Sequence, residues 1–457
     1  MKLKFNVFLI ALIAATGGLL FGFDTGVISG ALPFLKQYWH LSDASIEWIT
    51  TTVLIGAIIG ALGSGKLSDI IGRKRMIIIN AIIFAIGAIG CAYAPTLLVL
   101  IIMRIIIGIA IGITSYVVPM YISEISPTRV RGALVTLNQL MITLGILLSY
   151  TADYWLSDDA NLESWRNMFL VGFFPAAVLL IGMFFLPETP RWLISKDRWD
   201  EGVKILNTLE DEDLIEQTLA DLKKEVEHSK KNKTTSKEIL KPWLRAPLII
   251  TIGIFFFQQF SGVNTIIYYS PMIFKIAGVV SNTASIIPAI IIGTVNVLAC
   301  LASVFLLDKV GRRKLYFIGM IGMIPSLALL GACFHFKEEL GSSLPVFAVL
   351  SIVCYIIFIA ISLAPLGWLL ISEVFPLNVR GVGMSIGSLA HWGFNAIITF
   401  TFLKLVNSLG IDYTFWSYGI ICLFGLVWGY FYIPETKGKS LEEIEKFWHE
   451  GGNPRKL

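Results

Sequence analysis

Apolar residues run through the chain in long uninterrupted stretches, and the polar residues collect between them. Twelve stretches are long enough to cross the roughly 30 Å core of a bilayer as helices of about 20 residues. Helices are expected because lipid offers no partner for free backbone N–H and C=O groups. The predicted spans, numbered 1 to 12, lie near residues 6–28, 45–66, 76–95, 99–121, 133–153, 167–186, 247–270, 283–307, 315–335, 345–371, 383–404 and 413–433. The pattern predicts an all-α membrane protein with twelve transmembrane helices.

Composition narrows the class further. Of the 457 residues 56% are hydrophobic and 15% charged, and the mean hydropathy is +0.75, whereas soluble domains are about a quarter charged. The net charge of +4 is too small to indicate a nucleic-acid partner. The five cysteines show no paired spacing, so neither a disulfide framework nor a metal site is expected. The first stretch carries Asp24 and lacks a cleavage pattern, which argues against a signal peptide.

The basic residues orient the chain. If Met1 is cytoplasmic, 30 of the 36 Lys and Arg lie on the cytoplasmic side, five lie outside, and Arg104 lies within span 4. Cytoplasmic loops carry the excess of Lys and Arg in membrane proteins. Both termini are therefore predicted in the cytoplasm, as an even number of spans requires.

An internal repeat divides the spans. Three motifs recur in the same order at offsets of 239 to 249 residues: 69–75 as 308–314, 122–132 as 371–381, and 187–189 as 434–436. Two related six-helix bundles are the architecture of transporters that alternate access to a central site. The predicted domains are an N-terminal bundle at 1–194, a cytoplasmic linker at 195–245, a C-terminal bundle at 246–436 and a cytoplasmic tail at 437–457.

The linker is polar and rich in Asp, Glu and Lys. Leucines at loosely helical spacing within Glu210–Lys224 predict short amphipathic helices on the cytoplasmic face. For Ser229–Ser236 a solvated tether is an equal alternative.

Charged residues of the repeated motifs collect at the cytoplasmic ends of the spans. We hypothesise that Glu–Arg pairs among them close that side of the protein in one conformation; the alternative is that they only anchor the chain at the membrane surface. The candidate gate residues are Asp69, Arg73, Glu124, Arg131, Glu188, Arg191, Asp308, Arg312, Glu373, Arg380 and Glu435.

These motifs and several others resemble the sugar porter family of the major facilitator superfamily over essentially the whole chain. The matching segments include Gly17–Thr25, Asp69–Arg75, Pro119–Glu124, Pro187–Leu193, Gln258–Asn264, Asp308–Arg313 and Pro434–Glu442. The resemblance implies the major facilitator fold and a monosaccharide carrier of the bacterial cell membrane, either coupled to protons or facilitative. Its expected partners are a hexose, pentose or related polyol, protons and the lipid bilayer. The protein is expected to act as a monomer, without a cofactor.

A sugar presents several hydroxyls and an apolar ring face, so its site needs amides, which both donate and accept, and an aromatic plane. The amides within spans are Gln139, Gln258, Gln259, Asn264 and Asn296, and span 11 adds a polar stripe of Ser388, His391 and Asn395. Gly262 is expected to break span 7, as in other transporter sites. An alternative role for each amide is to bond one helix to another.

The resemblance assigns sugar hydrogen bonds to the five amides of spans 5, 7 and 8, and ring packing to Phe21 and Trp368; Trp392 matches a further aromatic of the site region. This chain departs from the family at two positions. His391 stands where relatives more often carry Asn or Gln, and Ala364 stands where Gly is usual. His391 either alters which hydroxyl is recognised or ties span 11 to a neighbour.

Asp24 and Arg104 are the ionisable residues deep within spans 1 and 4, and residue counting places them at similar depth. Charged residues in a membrane core are functional candidates, and relative motion of the two could bind and release a proton. In the family, proton symporters tend to carry Asp at the Asp24 position, which favours symport. The alternatives are a static ion pair and a facilitative uniporter. No nucleophile–base pair or nucleotide-binding loop indicates an enzyme, and the loops leave no room for a signalling domain.

Overall fold

The structure is a computed structural model that describes residues 5–127, 130–210, 215–220, 222–223, 236–376 and 379–457. Within those residues it is helical and contains no β-strand. Among the described residues, twelve helical segments are long and apolar enough to cross a membrane. They coincide with the twelve predicted spans, and the predicted all-α fold class is confirmed.

Spans 6, 7 and 10 each consist of two helices, and the other nine spans are single helices. In chain order the helices of spans 1 to 12 are Phe5–Tyr38, Asp43–Ile71, Arg73–Ala92, Leu97–Ile125, Arg131–Leu156, Ser164–Val171 with Phe173–Phe185, Arg245–Phe260 with Val263–Ile276, Asn282–Val310, Arg312–His335, Leu344–Ile361 with Leu363–Val374, Arg380–Leu409, and Ile411–Tyr432. Span 1 continues ten residues beyond its predicted end at 28, because hydropathy marks the apolar run and not the end of hydrogen bonding.

Short helices lie outside the spans. The α-helices among them are Pro190–Ser195, Trp199–Leu209, Lys337–Leu340 and Leu441–His449, with further helical residues at 215–220 and 222–223. The helix Trp199–Leu209 is amphipathic and buries Leu206 and Leu209. The linker also contains the 3-10 helices Ser236–Leu240 and Pro242–Leu244. Its residues 211–214, 221 and 224–235, and with them most of Ser229–Ser236, lie outside the described residues.

By backbone contacts the chain divides into two compact units. The first comprises Met1–Asp24, Gly56–Gly145 and Phe169–Thr235. The second comprises Thr25–Ile55, Ile146–Met168 and Ser236–Leu457. The predicted domain boundaries at 194/195 and 245/246 separate bundles of whole spans. These compact units do not test them, so both boundaries stay predictions.

Span 7 breaks at Gly262, which has φ +89° and ψ 13°, in the left-handed region. Residues with a side chain adopt this conformation only at a cost, and a Cβ here would also overlap the ring of Tyr418. Ser261, just before the break, shares a hydrogen bond of 2.9 Å between its hydroxyl and that of Tyr355, and its carbonyl accepts from Tyr355 at 3.0 Å. The break is therefore fixed from both sides by buried tyrosines.

Span 10 breaks at Ser362, where φ is −123° and ψ −95°. The sequence predicted one continuous span here. Pro365 follows within the next turn and has no N–H to donate, so a regular helix through this segment would already lack one hydrogen bond.

Gly262→Ala is expected to lower the free energy of unfolding by about 1–3 kcal/mol, since the left-handed backbone strains any side chain. Thermal unfolding in detergent would measure the loss. Gly393→Ala in span 11 is the matched control, because a Cβ there has nothing within 4 Å and alanine favours a helix. Equal melting temperatures for the two variants would contradict the left-handed backbone conformation assigned to Gly262.

Candidate functional site

The break in span 7 brings three amides together. Gln258 and Gln259 lie in the last turn before it, and Asn264 lies in the first turn after it. Asn264 donates to Oε1 of Gln259 at 2.6 Å, and Gln259 donates to Oε1 of Gln258 at 3.0 Å. A continuous helix would place Gln259 and Asn264 on diverging faces; the left-handed turn closes them into one chain of amides.

Gln258 connects this chain to the break in span 10. Its Nε2 donates to the carbonyl of Leu363 at 2.7 Å and lies 3.4 Å from that of Ala364. Gln258 is buried, so these carbonyls compensate for the removal of its amide from water. The two helix breaks are thus held together by one side chain.

His391 of span 11 completes the polar cluster. Its Nδ1 lies 3.0 Å from Nε2 of Gln259 and 3.2 Å from Oε1 of Gln258. One neighbour is a donor and the other an acceptor, so either neutral tautomer of the ring makes a hydrogen bond here. His391 is only half-buried, which leaves part of the ring open to a ligand.

Aromatic rings flank this polar cluster. The ring centroid of Trp368 lies 5.1 Å from that of His391 and 5.1 Å from that of Phe255. Phe255 also lies 5.3 Å from His391, edge to face. The sequence analysis missed Phe255, although it stands one helical turn before Gln259, on the same face. Its position in the run Phe255–Phe257 concealed it among residues that fill the core.

We define the amide cluster as Gln258, Gln259, Asn264, His391, Trp368 and Phe255. All six lie in the second compact unit. Among them the half-buried residues are Asn264, His391 and Trp368. Hydrogen-bonding groups and an aromatic plane are therefore both partly accessible.

Two predicted residues of span 11 have other neighbours. Asn395 is buried; its Nδ2 donates to the hydroxyl of Tyr268 at 3.4 Å, and its Oδ1 accepts from Thr399 at 3.1 Å. The bond to Tyr268 joins span 11 to span 7 and fits the alternative helix-to-helix role, whereas the bond to Thr399 lies within span 11. Trp392 is also buried, and its ring meets that of His391 edge to face at 5.1 Å.

The remaining predicted sugar ligands are half-buried. Phe21 and Gln139 belong to the first compact unit, and Asn296 belongs to the second. Half-burial leaves each of them able to meet a ligand, and their roles stay predictions.

Asp24 and Arg104 are in direct contact. Nη1 of Arg104 donates to Oδ1 of Asp24 at 2.5 Å, and both side chains are almost fully buried. Among the described residues, Oδ2 of Asp24 and both Nε and Nη2 of Arg104 have no hydrogen-bond partner. The ring of Phe169 lies 5.9 Å from the guanidinium carbon. The pair is held by a single hydrogen bond where a bidentate one is possible.

A first charge cluster surrounds the start of span 3: Asp69, Arg73, Glu124, Glu188 and Thr189. Arg73 bridges Asp69 at 2.9 Å and Glu124 at 3.2 Å. Oε2 of Glu124 also accepts from the hydroxyl of Thr189 at 2.6 Å. Glu188 accepts from the backbone N–H groups of Arg73 and Lys74, each at 3.1 Å. A carboxylate thus caps the positive end of the helix.

The first charge cluster requires a glycine at position 72 and contains a half-buried acid, Glu188. Gly72 has φ +106°, and a Cβ there would overlap the Glu188 carboxylate. Burial raises the pKa of the Glu188 carboxyl above its usual range, and the backbone N–H groups of Thr189 and Lys74 oppose that shift.

The repeat builds a second charge cluster at the start of span 9: Arg312, Glu373, Glu435 and Thr436. Arg312 pairs with Glu373 at 2.9 Å, and the Thr436 hydroxyl donates to Glu373 at 2.5 Å. Glu435 accepts from the backbone N–H groups of Arg312 at 2.9 Å and Arg313 at 3.2 Å. The two clusters therefore use the same residue types in the same roles. Sequence reasoning missed the two threonines, although both stand in the repeated Pro-Glu-Thr motif.

The other candidate gate residues have different surroundings. Arg131 and Arg191 are exposed, and Arg380 approaches the carbonyl of Phe375 at 3.4 Å. The side chain of Asp308 lies outside the part of the chain that the structure describes. In the described residues Glu124 and Glu373 pair with Arg73 and Arg312, the arginines of the other repeated motif.

Known proteins are similar to this chain in both sequence and fold. A family model described as sugar (and other) transporter matches residues 10–448. The galactose-proton symporter of Escherichia coli strain K12 is 36% identical over 459 residues, which cover 99% of this chain and 97% of that protein. The glucose transporter GlcP of Staphylococcus epidermidis is 38% identical over 443 residues, 97% of each chain. The structure of the proton:xylose symporter XylE from E. coli, bound to 6-bromo-6-deoxy-D-glucose, is similar with a TM-score of 0.82 at 32% identity, covering 98% of this chain and 100% of that one.

Arg73→Met is expected to lower the free energy of unfolding by about 3–5 kcal/mol, because it leaves a buried carboxylate without its partner. Arg312→Met should cost less, since the Glu373 side chain is 19% exposed and that of Glu124 only 5%. Adding Glu124→Gln to Arg73→Met should restore most of the loss. Chemical unfolding in detergent measures all three variants.

Arg198→Met is the control for these variants, since the Arg198–Glu201 pair is exposed and should contribute little. A cost for Arg73→Met no larger than that for Arg198→Met would contradict the role given to the first charge cluster.

Proposed function

Because the chain belongs to the sugar (and other) transporter family, a family of carriers and not of enzymes, we propose that it imports a monosaccharide together with a proton by alternating access. The observation that carries the proposal is the amide cluster beside Trp368, within a chain of twelve apolar spans. Amides, a neutral imidazole and an aromatic plane suit a ligand with many hydroxyls and no charge.

The amide cluster can exchange its internal hydrogen bonds for bonds to a sugar. Asn264 and Gln259 now satisfy each other at 2.6 Å. A sugar hydroxyl both donates and accepts, so it can insert between the two amides with little net loss of hydrogen bonding. Trp368 offers its face to the apolar side of the ring. Phe21, Gln139, Asn296, Trp392 and Asn395 are proposed to complete the site.

A neutral hexose, pentose or related polyol is the proposed substrate. The relatives named for galactose, glucose and xylose support this class. His391 replaces an amide that the family more often carries, so its ring sets which hydroxyl is accepted at that point.

Coupling is assigned to Asp24 and Arg104. A buried charge pair is stable only while both partners stay together. When Asp24 takes a proton on its carboxylate, its attraction to Arg104 is lost and spans 1 and 4 can rearrange; release of that proton restores the pair. Two relatives whose names include a proton support symport. The alternative, a facilitative uniporter, requires the pair to be static.

The chain is a multi-pass membrane protein, and the cell membrane is its proposed location. The excess of Lys and Arg supports cytoplasmic termini. That orientation places both charge clusters on the cytoplasmic side, where we propose that they form a gate together with Arg131, Arg191, Asp308 and Arg380. The monomer is the proposed functional unit.

Gln259→Ala is expected to weaken sugar affinity by about tenfold to a hundredfold, since it removes one hydrogen bond and leaves Asn264 unpaired. Equilibrium binding to purified protein over a panel of monosaccharides measures the change. Asn80→Ala is the control, because Asn80 is also a buried amide but bonds Thr114 at 2.6 Å. Unchanged affinity in Gln259→Ala would contradict this sugar site.

Asp24→Asn is expected to abolish accumulation of sugar against its gradient while keeping sugar exchange, since the amide cannot take up and release a proton. Uptake and counterflow into proteoliposomes, with and without a proton gradient, separate the two activities. Glu163→Gln changes an exposed acid of the loop after span 5 in the same way and should leave both intact. Continued accumulation by Asp24→Asn would favour the uniporter.

A further inference from the structure

A second acid lies deep in the protein, and the mechanism above does not use it. Asp153 stands near the end of the span 5 helix Arg131–Leu156. Its exposed fraction is 0%, and neither carboxylate oxygen has a hydrogen-bond partner among the described residues. The side chain packs directly on Gly30 of span 1, where any Cβ would overlap it.

The other buried acids of the membrane spans, Asp24 and Glu47, have partners. Asp24 pairs with Arg104, and Glu47 accepts from the backbone N–H of Lys404 at 3.0 Å with the Lys404 ammonium at 3.8 Å. An ionised carboxylate without such a partner is far more costly to bury than a neutral one, and such groups neutralise instead. Asp153 thus differs from Asp24 and Glu47 because no cation lies beside it among the described residues to stabilise its ionised form.

Among the described residues around Asp153 no cation compensates a negative charge, and the backbone N–H of Gly30 offsets the cost of burial only in part. The titratable side chains that interact with it are Tyr150, one turn earlier in span 5, and through Tyr150 also Tyr268 of span 7. Both are phenols, which are neutral at physiological pH, and the Tyr150 hydroxyl already donates to the carbonyl of Ile267 at 2.9 Å. From span 1 the residue that packs on Asp153 is Gly30, which does not titrate.

We propose that Asp153 is a second proton-binding site, which carries a proton whenever span 1 packs its Gly30 against the carboxyl group. The step is reversible: a proton from water binds one carboxylate oxygen as span 1 closes, and the acid returns it when the contact opens. The proposal deepens the proposed proton symport and rests on it only for the link to transport. In the proposed orientation Asp153 lies toward the outer end of its span, where external protons would reach it.

Infrared spectroscopy of the purified protein in lipid tests the proton directly. The wild type should show the carbonyl stretching band of a protonated carboxylic acid, and this band should weaken as the pH is raised and the acid ionises. Asp153→Asn should lose this band. Asp24→Asn and Glu47→Gln should keep it. A band unchanged in Asp153→Asn would overturn the proposal, as would an ionised Asp153 at every pH of the titration.

Two further measurements keep the test decisive. Sugar counterflow by Asp24→Asn should decline at high pH, whereas counterflow by the double variant Asp24→Asn/Asp153→Asn should be independent of pH. An equal decline in both variants would overturn the link to transport. If Asp153→Asn does not fold, Gly30→Ala replaces it, because the added Cβ forces the contact apart and should shift the fading of the band to lower pH. Asp24→Asn that still accumulates sugar would defeat the proposed symport and leave the infrared result intact.

Discussion

The structure depends on satisfying polar groups inside helices that lipid surrounds. Where a span is regular, the helix itself satisfies its backbone; where it breaks, side chains must do so. Span 7 breaks at Gly262 and span 10 at Ser362, and the amide of Gln258 joins the two breaks through the carbonyl of Leu363. The same breaks turn Gln259 and Asn264 toward each other. The side-chain hydrogen bonds that compensate for the two helix breaks thus also form the candidate sugar site.

The two charge clusters are built from the same set of interactions. In each, an acid from the Pro-Glu-Thr motif accepts from the first N–H groups of a helix, and an arginine from that helix pairs with the glutamate of the preceding repeat motif. The threonine of the motif then donates to that same glutamate. A glycine with positive φ is needed at each helix start, because a side chain would occupy the space of the capping acid. The internal repeat in the sequence therefore records a repeated requirement of helix termini, independently of any ligand.

The three buried acids of the spans show how local partners assign different chemistry to one functional group. Asp24 faces an arginine, Glu47 faces a backbone N–H and a lysine, and Asp153 faces a glycine and the phenol of Tyr150. A nearby cation stabilises the ionised form of a buried acid, whereas a buried acid without a cation is more stable in its protonated form. With Asp24 in span 1 and Asp153 packed against span 1, a symporter would have two sites where proton binding is linked to movement of that helix.

The sequence by itself determined the twelve spans, the repeat, the break at Gly262 and the chemical types of the candidate site, because hydropathy, recurrence and glycine are properties of position along one chain. It also indicated Asp24 and Arg104 as residues at similar depth. It did not reveal which arginine pairs with Glu124, that Phe255 joins the amide cluster, that Asn395 bonds Tyr268, or that Asp153 has no cationic partner in the described part of the chain. Each of these depends on which face of a helix meets which neighbour. Residue spacing gives that face within a helix, but only the packing of helices against one another decides what it touches.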